Sequence, residues 1–222
     1  MVKVKEHKFF EGVYWVNGRL ATKNLVPGVK VYGERLVKTK MGEFRLWDAY
    51  RSKPAAAIYK GLKTFPVLRG NKILYLGIAS GTTASHMSDI IGKSGIIYGV
   101  EISERVLRDL LAVAEKRKNI VPILANARLP ESYSWVEEVD LVYADVAIPD
   151  MSEVLVRNCE RFLKEGGYAM IAIKARSIDV TAKPRKVFEK EKEKLRKYFK
   201  IIDFVILDPY EKDHCMIVMK KE

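Results

Sequence analysis

A loop of small and hydroxyl-bearing residues gives the clearest chemical signal in this sequence. An apolar run ending at Leu76 leads into Gly77, and Gly81 follows four residues later. Three hydroxyl side chains lie in or directly after the loop: Ser80, Thr82 and Thr83. Glycine lets a ligand approach the backbone closely, and the helix predicted to follow presents unpaired N–H groups to it. The pattern is typical of the corner at which doubly wound α/β proteins bind nucleotide-like ligands, although a purely structural turn has the same appearance.

The spacing of the glycines narrows the class of ligand. G-x-x-x-G differs from the G-x-G-x-x-G of dinucleotide-binding proteins, and no Lys-Ser or Lys-Thr follows, which excludes a P-loop. The hydroxyls suit a ligand that carries an amino-acid carboxylate and amine. S-adenosylmethionine (AdoMet) is such a ligand, and we expect it to bind at this loop.

Further polar residues follow the next two predicted strands. Glu101 comes 24 residues after Gly77, where a carboxylate can accept hydrogen bonds from ribose hydroxyls. Its alternative role is a favourable charge at the start of a helix capped by Ser103. We expect the amide oxygen of Asn126 to accept from an adenine amino group, and Ile102 to pack on the base.

A carboxylate and an ammonium group end the two strands after that. Asp145 ends the fourth strand and Lys174 the fifth, so both are expected at the ligand-binding edge. A salt bridge closing the sheet edge is the alternative. Burial at the end of an apolar strand is expected to lower the pKa of Lys174, as in catalytic lysines. His214 reaches the same edge if the last strand is antiparallel, although a lone histidine is more often structural or solvated.

Alternating strands and helices must position these residues. The predicted strands are Ile73–Leu76, Ile96–Val100, Ile120–Leu124, Val139–Ala144, Tyr168–Ile173, Ile201–Leu207 and Cys215–Met219. The predicted helices are Pro54–Leu62, Thr82–Ile91, Arg105–Arg117, Ser152–Leu163 and Pro184–Tyr198. The order predicts an α/β, Rossmann-like fold with a mostly parallel sheet covered on both faces. Seven strands with an antiparallel last strand are the usual architecture of AdoMet-dependent methyltransferases.

Residues 1–50 are predicted to form a small antiparallel β-region, and residues 51–222 the methyltransferase domain. Asn17-Gly18 is a strong hairpin signal. The alternation in Val29–Tyr32 indicates another strand, and Phe44–Trp47 would close the sheet. Such a sheet is too small to be stable alone, so we expect it to pack on the larger domain.

Charge indicates a polyanionic partner. The 222 residues carry 40 Lys and Arg against 28 Asp and Glu, a formal charge of +12, for which nucleic acid is the usual partner. A heat-adapted surface would raise both signs together. Much of the basic segment from residue 30 to 72 is expected to line an RNA- or protein-facing surface, including Lys38, Lys40, Arg45, Arg51, Lys53, Lys60 and Lys63.

Other sequence features exclude several classes of protein. No apolar run approaches the ~20 residues of a membrane helix. The first residues lack an apolar signal core, so we expect a cytoplasmic protein without membrane contact. Cys159 and Cys215 have no ligand-like spacing and are expected to be buried free thiols. We expect no metal site.

Several motifs, in order through nearly the whole chain, resemble the archaeal fibrillarin family. The matching segments are Arg51–Ala57, Tyr75–Thr83, Ala144–Ala147, Ile173–Ala175 and Pro209–His214. The resemblance implies AdoMet-dependent methylation of the ribose 2′-hydroxyl of rRNA and tRNA. It further implies a ribonucleoprotein in which a box C/D guide RNA selects the target. A Nop-family scaffold protein and a kink-turn-binding ribosomal-protein homologue are the implied protein partners.

The resemblance also implies roles for individual residues. The family's Lys-Asp-Lys-His catalytic set falls on Lys53, Asp145, Lys174 and His214. Its AdoMet-binding positions fall on Thr82, Thr83, Glu101, Ile102, Asn126, Ala127, Asp145, Val146, Ala147 and Ile148, beside the loop glycine Gly77. Ile102, Asn126 and Ile148 depart from the Phe, Asp and Gln usual in the family, and we expect somewhat weaker AdoMet binding.

The predicted mechanism is in-line attack of the 2′-oxygen on the AdoMet methyl group. Lys174 is the expected proton acceptor, oriented by Asp145, while Lys53 and His214 position the hydroxyl and nearby phosphates. A base methyltransferase is disfavoured because Asp145 leads into Val146–Pro149 and not into Asn/Asp-Pro-Pro-aromatic. A non-catalytic RNA scaffold is the other alternative, which the complete Lys-Asp-Lys-His set disfavours.

Overall fold

The N-terminal region forms a five-stranded antiparallel sheet. A computed structural model describes residues 2–222. Its first strands are β1 (Val4–Glu6), β2 (Val13–Val16), β3 (Arg19–Lys23), β4 (Leu36–Thr39) and β5 (Gly42–Leu46), in the order β1-β2-β3-β5-β4. Asn17 and Gly18 join β2 to β3 with φ of 49° and 76°, the left-handed geometry that a two-residue hairpin requires. The predicted hairpin is therefore confirmed.

The strand expected at Val29–Tyr32 is wrong, because this segment is a loop. A buried carboxylate takes the place of a strand partner: Glu34 accepts hydrogen bonds from the N–H groups of Val31 and Tyr32 at 2.9–3.1 Å. Val29, Val31 and Tyr32 are half-buried in this loop and Lys30 is exposed, so the apolar pattern reflects partial burial without a strand.

The second sheet has seven strands and confirms the predicted fold class. They are β6 (Lys72–Leu76), β7 (Ile96–Glu101), β8 (Ile120–Leu124), β9 (Val139–Ala144), β10 (Leu163–Lys174), β11 (Lys200–Ile206) and β12 (His214–Lys220). The order is β11-β12-β10-β9-β6-β7-β8, and only β12 runs antiparallel to its neighbours. Because β9 and β10 are parallel neighbours, their carboxyl ends lie side by side.

Helices cover both faces of this sheet. They are α1 (Lys53–Tyr59), α2 (Thr82–Ile91), α3 (Glu104–Arg117), α4 (Met151–Phe162), α5 (Ala175–Ile178) and α6 (Pro184–Leu195). Apolar residues of α1, α2 and α3 pack on one face, and those of α4 and α6 on the other. Ser103 caps α3 by accepting from the N–H of Val106, as the sequence predicts. The short α5 was not predicted, and α6 ends three residues before Tyr198.

Buried charges join the small sheet to helices α2 and α3 of the larger domain. Arg45 of β5 donates to Glu34 at 2.6 Å and to Asp89 of α2 at 2.9 Å, while Arg117 of α3 reaches the other oxygen of Asp89 at 2.7 Å. Arg45 is completely buried, so its expected place on a basic surface is wrong. The packing of the small sheet on the larger domain is thus held by ion pairs as well as by apolar contacts. A domain boundary at residue 50 stays a prediction.

The structure also bears on membrane-spanning helices and on the two cysteines. None of the helices formed by residues 2–222 combines the length and apolarity that a membrane crossing requires. Cys159 and Cys215 are buried free thiols, as predicted. Burial raises the pKa of both thiols, which keeps them protonated and unreactive.

Candidate active site

Lys53 and Asp145 form an ion pair at the carboxyl edge of the sheet. Nζ of Lys53, the first residue of α1, lies 2.9 Å from one oxygen of Asp145 and 3.1 Å from the other. Asp145 directly follows β9, and its N–H continues the ladder by donating to Leu76. We expected Asp145 to orient Lys174, but the structure pairs it with Lys53. Proline at the second position of α1 and the extended Ser52 before it fix where Lys53 enters the site.

This contact sets the charge of Lys53. Burial lowers the pKa of Lys53, but the charge and hydrogen bond of Asp145, with the charge of Glu211, raise it more. The pKa therefore lies above its ordinary value of 10.5, and the lysine is an ammonium ion at neutral pH.

Lys174 and His214 are the second pair of the predicted catalytic set. They are direct cross-strand partners in β10 and β12, so their side chains point to the same face of the sheet. Lys174 is exposed, which makes the expected burial of this lysine wrong. No ion pair or hydrogen bond within residues 2–222 engages its ammonium group.

The tautomer of His214 follows from its one short contact. Nδ1 lies 2.7 Å from the carbonyl oxygen of Lys212, which can only accept. The proton of the neutral ring is therefore on Nδ1, and the lone pair is on Nε2. His214 is buried, and the carboxylate of Glu211 lies 4.0 Å from its Nδ1. Glu211 thus lies close to His214, and its charge also raises the pKa of Lys53. The sequence did not indicate this role.

All four residues lie towards the face covered by α1. Lys174 is two residues from Ala172 and His214 two from Met216, and both of these belong to the core cluster on that face. Asp145 is two residues after Tyr143, which belongs to the same cluster, so both side chains point to the same face. The sequence-predicted set therefore meets at one edge and on one face, as two pairs.

A cavity of about 260 Å³ lies beside Asp145. Nine predicted AdoMet-binding residues line it: Gly77, Glu101, Ile102, Asn126, Ala127, Asp145, Val146, Ala147 and Ile148. Gly77 has a φ of +76°, and a Cβ there would lie 2.6 Å from the carbonyl oxygen of Asp145. Glycine is required because the ends of β6 and β9 come together at this point.

Glu101 has hydrogen-bonding capacity to spare. One carboxylate oxygen accepts from the N–H of Ala79 at 3.1 Å and the other from the N–H of Ser103 at 2.9 Å. A carboxylate has about four acceptor positions, so each oxygen can accept one further hydrogen bond from a ligand hydroxyl.

Asn126 and Ile102 also line this cavity. The amide oxygen of Asn126 accepts from the N–H of Arg128 at 3.0 Å, which leaves its second lone pair for a ligand. Its NH₂ group has no hydrogen-bond partner within residues 2–222. Ile102 is 66% exposed, which leaves an apolar surface for a base to cover.

Thr82 and Thr83 do not line this cavity. The hydroxyl of Thr83 is buried and donates to Ser52 Oγ at 3.0 Å, which ties α2 to the start of α1. Thr82 faces a different groove. Gly81, which precedes helix α2, adopts the left-handed conformation, and no side chain caps the helix. The first N–H groups of α2 are therefore available to an anionic ligand group.

Two buried tyrosines below Asp145 were missed by sequence reasoning. The hydroxyl of Tyr143 donates to Asp145 at 3.5 Å, and the rings of Tyr143 and Tyr75 pack edge to face at 4.7 Å. Burial, the charge of Asp145 and, for Tyr143, the neighbouring phenol raise the pKa of both groups, so both stay protonated. Polar tyrosines at inward positions of apolar strands are the signal that could have revealed them.

Comparison with known proteins agrees with this geometry. The sequence model of the Fibrillarin family matches residues 4–222. The fibrillarin-like rRNA/tRNA 2′-O-methyltransferase of Pyrococcus abyssi is 53% identical, with full coverage of both chains. The crystal structure of Aeropyrum pernix fibrillarin with natively bound S-adenosyl-L-methionine superposes with a TM-score of 0.92, at 55% identity and 99% coverage of each chain. A fibrillarin in complex with Nop5p superposes with a TM-score of 0.89, at 43% identity, covering 98% of this chain and 100% of the other. The chain belongs to the fibrillarin family.

Proposed function

We propose that this protein transfers a methyl group from AdoMet to the ribose 2′-hydroxyl of rRNA and tRNA. The observation that carries the proposal is the Lys53–Asp145 ion pair at the edge of a cavity that Asp145 itself lines. Full-length relatives named as rRNA/tRNA 2′-O-methyltransferases support it, as does the A. pernix fibrillarin that binds AdoMet.

The residues around the cavity fit an adenosine-containing ligand. We infer that Glu101 accepts from the ribose hydroxyls of AdoMet, Asn126 donates to a ring nitrogen and Ile102 packs on the base. The backbone N–H groups of Thr82 and Thr83, at the uncapped start of α2, would bind the methionine carboxylate. Val146, Ala147 and Ile148 would line the same cavity beside Gly77.

The charged and polar residues at this edge of the sheet have separate proposed roles. AdoMet, when bound, supplies an electrophilic methyl group on a positively charged sulfur. Asp145 provides a negative charge next to that cavity and keeps Lys53 protonated. The charged Lys53 would hold the 2′-oxygen or a neighbouring phosphate, and His214 would accept a hydrogen bond at Nε2.

Lys174 is the proposed proton acceptor. Attack of the 2′-oxygen forms a C–O bond and breaks the S–C bond, while the hydroxyl proton moves to Nζ of Lys174, which accepts it as the neutral amine. Lys174 is exposed and makes no ion pair within residues 2–222, unlike Lys53, which is paired with Asp145. Within residues 2–222 no cluster of His, Cys, Asp and Glu could hold a metal ion.

Target selection is proposed to come from the assembly. A box C/D guide RNA would pair with the target, with a Nop-family scaffold and a kink-turn-binding protein completing the particle. The fibrillarin that forms a complex with Nop5p supports the scaffold partner. We further propose a cytoplasmic location, where archaeal rRNA and tRNA are processed.

Guide dependence tests this function. The complex reconstituted with guide RNA is expected to transfer a labelled methyl group from AdoMet to a complementary target RNA, and to stop when the guide is omitted. Calorimetric titration with AdoMet separates an enzyme from a non-catalytic scaffold. Absence of AdoMet binding by the chain and its complex would contradict the proposal.

A further inference from the structure

A second, strongly basic groove shares the ligand-binding loop. Gly77 and Ala79 line the cavity beside Asp145, whereas Ser80 and Thr82 line this groove of about 430 Å³. We call it the basic groove; it runs between the loop at residues 29–32 and α3. Its charged lining residues are Lys30, Arg51, Arg108, Lys116, Arg117 and Asp109.

Most of this positive charge is not neutralised inside the protein. Arg117 is buried and paired with Asp89, and Arg108 is paired with Glu104 at 2.8 Å. Lys30, Arg51 and Lys116 are exposed and make no ion pair within residues 2–222. The single acidic side chain, Asp109, leaves a net positive charge that has no internal function.

The walls of the basic groove are held in place. Glu34 fixes the loop through the N–H groups of Val31 and Tyr32, and the Tyr32 hydroxyl bonds to His86 of α2 at 2.7 Å. The opposite wall is α3, anchored by Arg117. Cations on rigid elements bind an anion with less loss of conformational entropy than cations on mobile loops.

Arg51 links the basic groove to the candidate active site along the chain. Arg51 is two residues from Lys53, and its guanidinium lies 5.3 Å from the ring centre of Tyr32 with its N–H edge free for an anion. Tyr32, the one aromatic lining residue, is thus already covered, so the groove lacks the aromatic anchor typical of protein interfaces. Its chemistry fits a polyanion that also reaches Lys53.

We propose that the basic groove binds the phosphodiester backbone of the target RNA next to the ribose being methylated. The inference rests on the proposed function, because the ribose at Lys53 fixes where the flanking phosphates must run. Lys30 and Lys116 are its main phosphate contacts, on opposite walls, and Arg51 connects them to the active site.

The test uses a charge-matched pair of double variants in the reconstituted guide-RNA complex. Lys30→Gln/Lys116→Gln removes two charges from the basic groove, and Lys186→Gln/Lys190→Gln removes two from the exposed side of α6. The groove variant is expected to raise KM for a complementary target RNA about tenfold, and to lower the slope of log K against log salt by roughly 1.5–2. AdoMet affinity and the thermal midpoint should match wild type in both variants.

Three outcomes overturn the inference. The first is that the two variants have the same KM and the same slope of log K against log salt, while the wild-type protein still methylates its target. The proposed function then survives. Another is loss of scaffold-protein binding by the groove variant with unchanged RNA affinity, which would make the groove a protein-docking site. The third is wild-type protein that binds the target RNA but methylates no ribose, in which case the proposed function fails as well.

Discussion

The ammonium group of Lys53 contacts both carboxylate oxygens of Asp145, at 2.9 and 3.1 Å. The two residues are 92 positions apart, so the contact brings the start of α1 to the end of β9. It gives the two candidate catalytic lysines different surroundings. Lys53 is stabilised as a cation, whereas Lys174 is exposed without a carboxylate partner.

Lys174→Arg tests this division of roles. Arginine keeps the positive charge but does not lose its proton near neutral pH, so kcat for ribose methylation should fall by about 10²–10⁴. Lys53→Arg, which keeps the required cation, should lose much less. Both variants should bind AdoMet like wild type in a calorimetric titration. A near-normal rate in Lys174→Arg would remove the lysine from its proposed role.

Tyr143→Phe tests whether the buried hydroxyl positions Asp145. The contact is long, 3.5 Å, so its loss should cost about 1 kcal/mol, or about fivefold in kcat, with little change in KM. Tyr98→Phe is the matched control, because its hydroxyl donates to Glu137 on the opposite face of the sheet. If both variants lose equal kcat, or the loss falls on KM, the effect on Asp145 is absent.

His86 should make the protein sensitive to mild acid. Burial, then the charges of Arg45 and Arg117, lower the pKa of this completely buried histidine well below 6.5. Below pH 6.5 the unfolded chain therefore takes up a proton that the folded chain refuses, and stability falls as the pH drops. Urea unfolding should show a loss of at most about 1.4 kcal/mol per pH unit from this group. His86→Gln should remove that part of the slope, and an unchanged slope would contradict the assignment.

Arg45→Met tests the junction between the small sheet and α2. The variant leaves Glu34 and Asp89 buried with fewer partners, which should lower the free energy of unfolding by about 3–5 kcal/mol. Arg108→Met, which removes an exposed pair with Glu104, should change stability little. Comparable stability of the two variants in urea titrations would show that the buried network is not needed for folding.

Local patterns explain why much of the fold could be predicted. The hairpin at Asn17-Gly18 and the Ser103 cap depend on neighbouring residues alone, and the strands follow from apolar runs of the right length. The four catalytic candidates came from a family resemblance, and strand order then explains why they share an edge.

Long-range contacts explain the errors. The loop at residues 29–32 and the burial of Arg45 both depend on Glu34, whose carboxylate satisfies groups that the sequence pattern assigns to a strand and to the surface. The pairing of Asp145 with Lys53 instead of Lys174 depends on how α1 docks, which no local pattern encodes. Tyr143 was missed because its contact with Asp145 appears only once the strand ends are placed in three dimensions.

The central claim is methyl transfer to a ribose 2′-hydroxyl, and its most direct test changes that one atom. Two target RNAs that pair with the same guide would differ only in carrying ribose or 2′-deoxyribose at the target nucleotide. We predict guide-dependent transfer of the labelled methyl group to the ribose target and none to the deoxy target. Equal methylation of the two would contradict the account, because the methyl group would then be on a base.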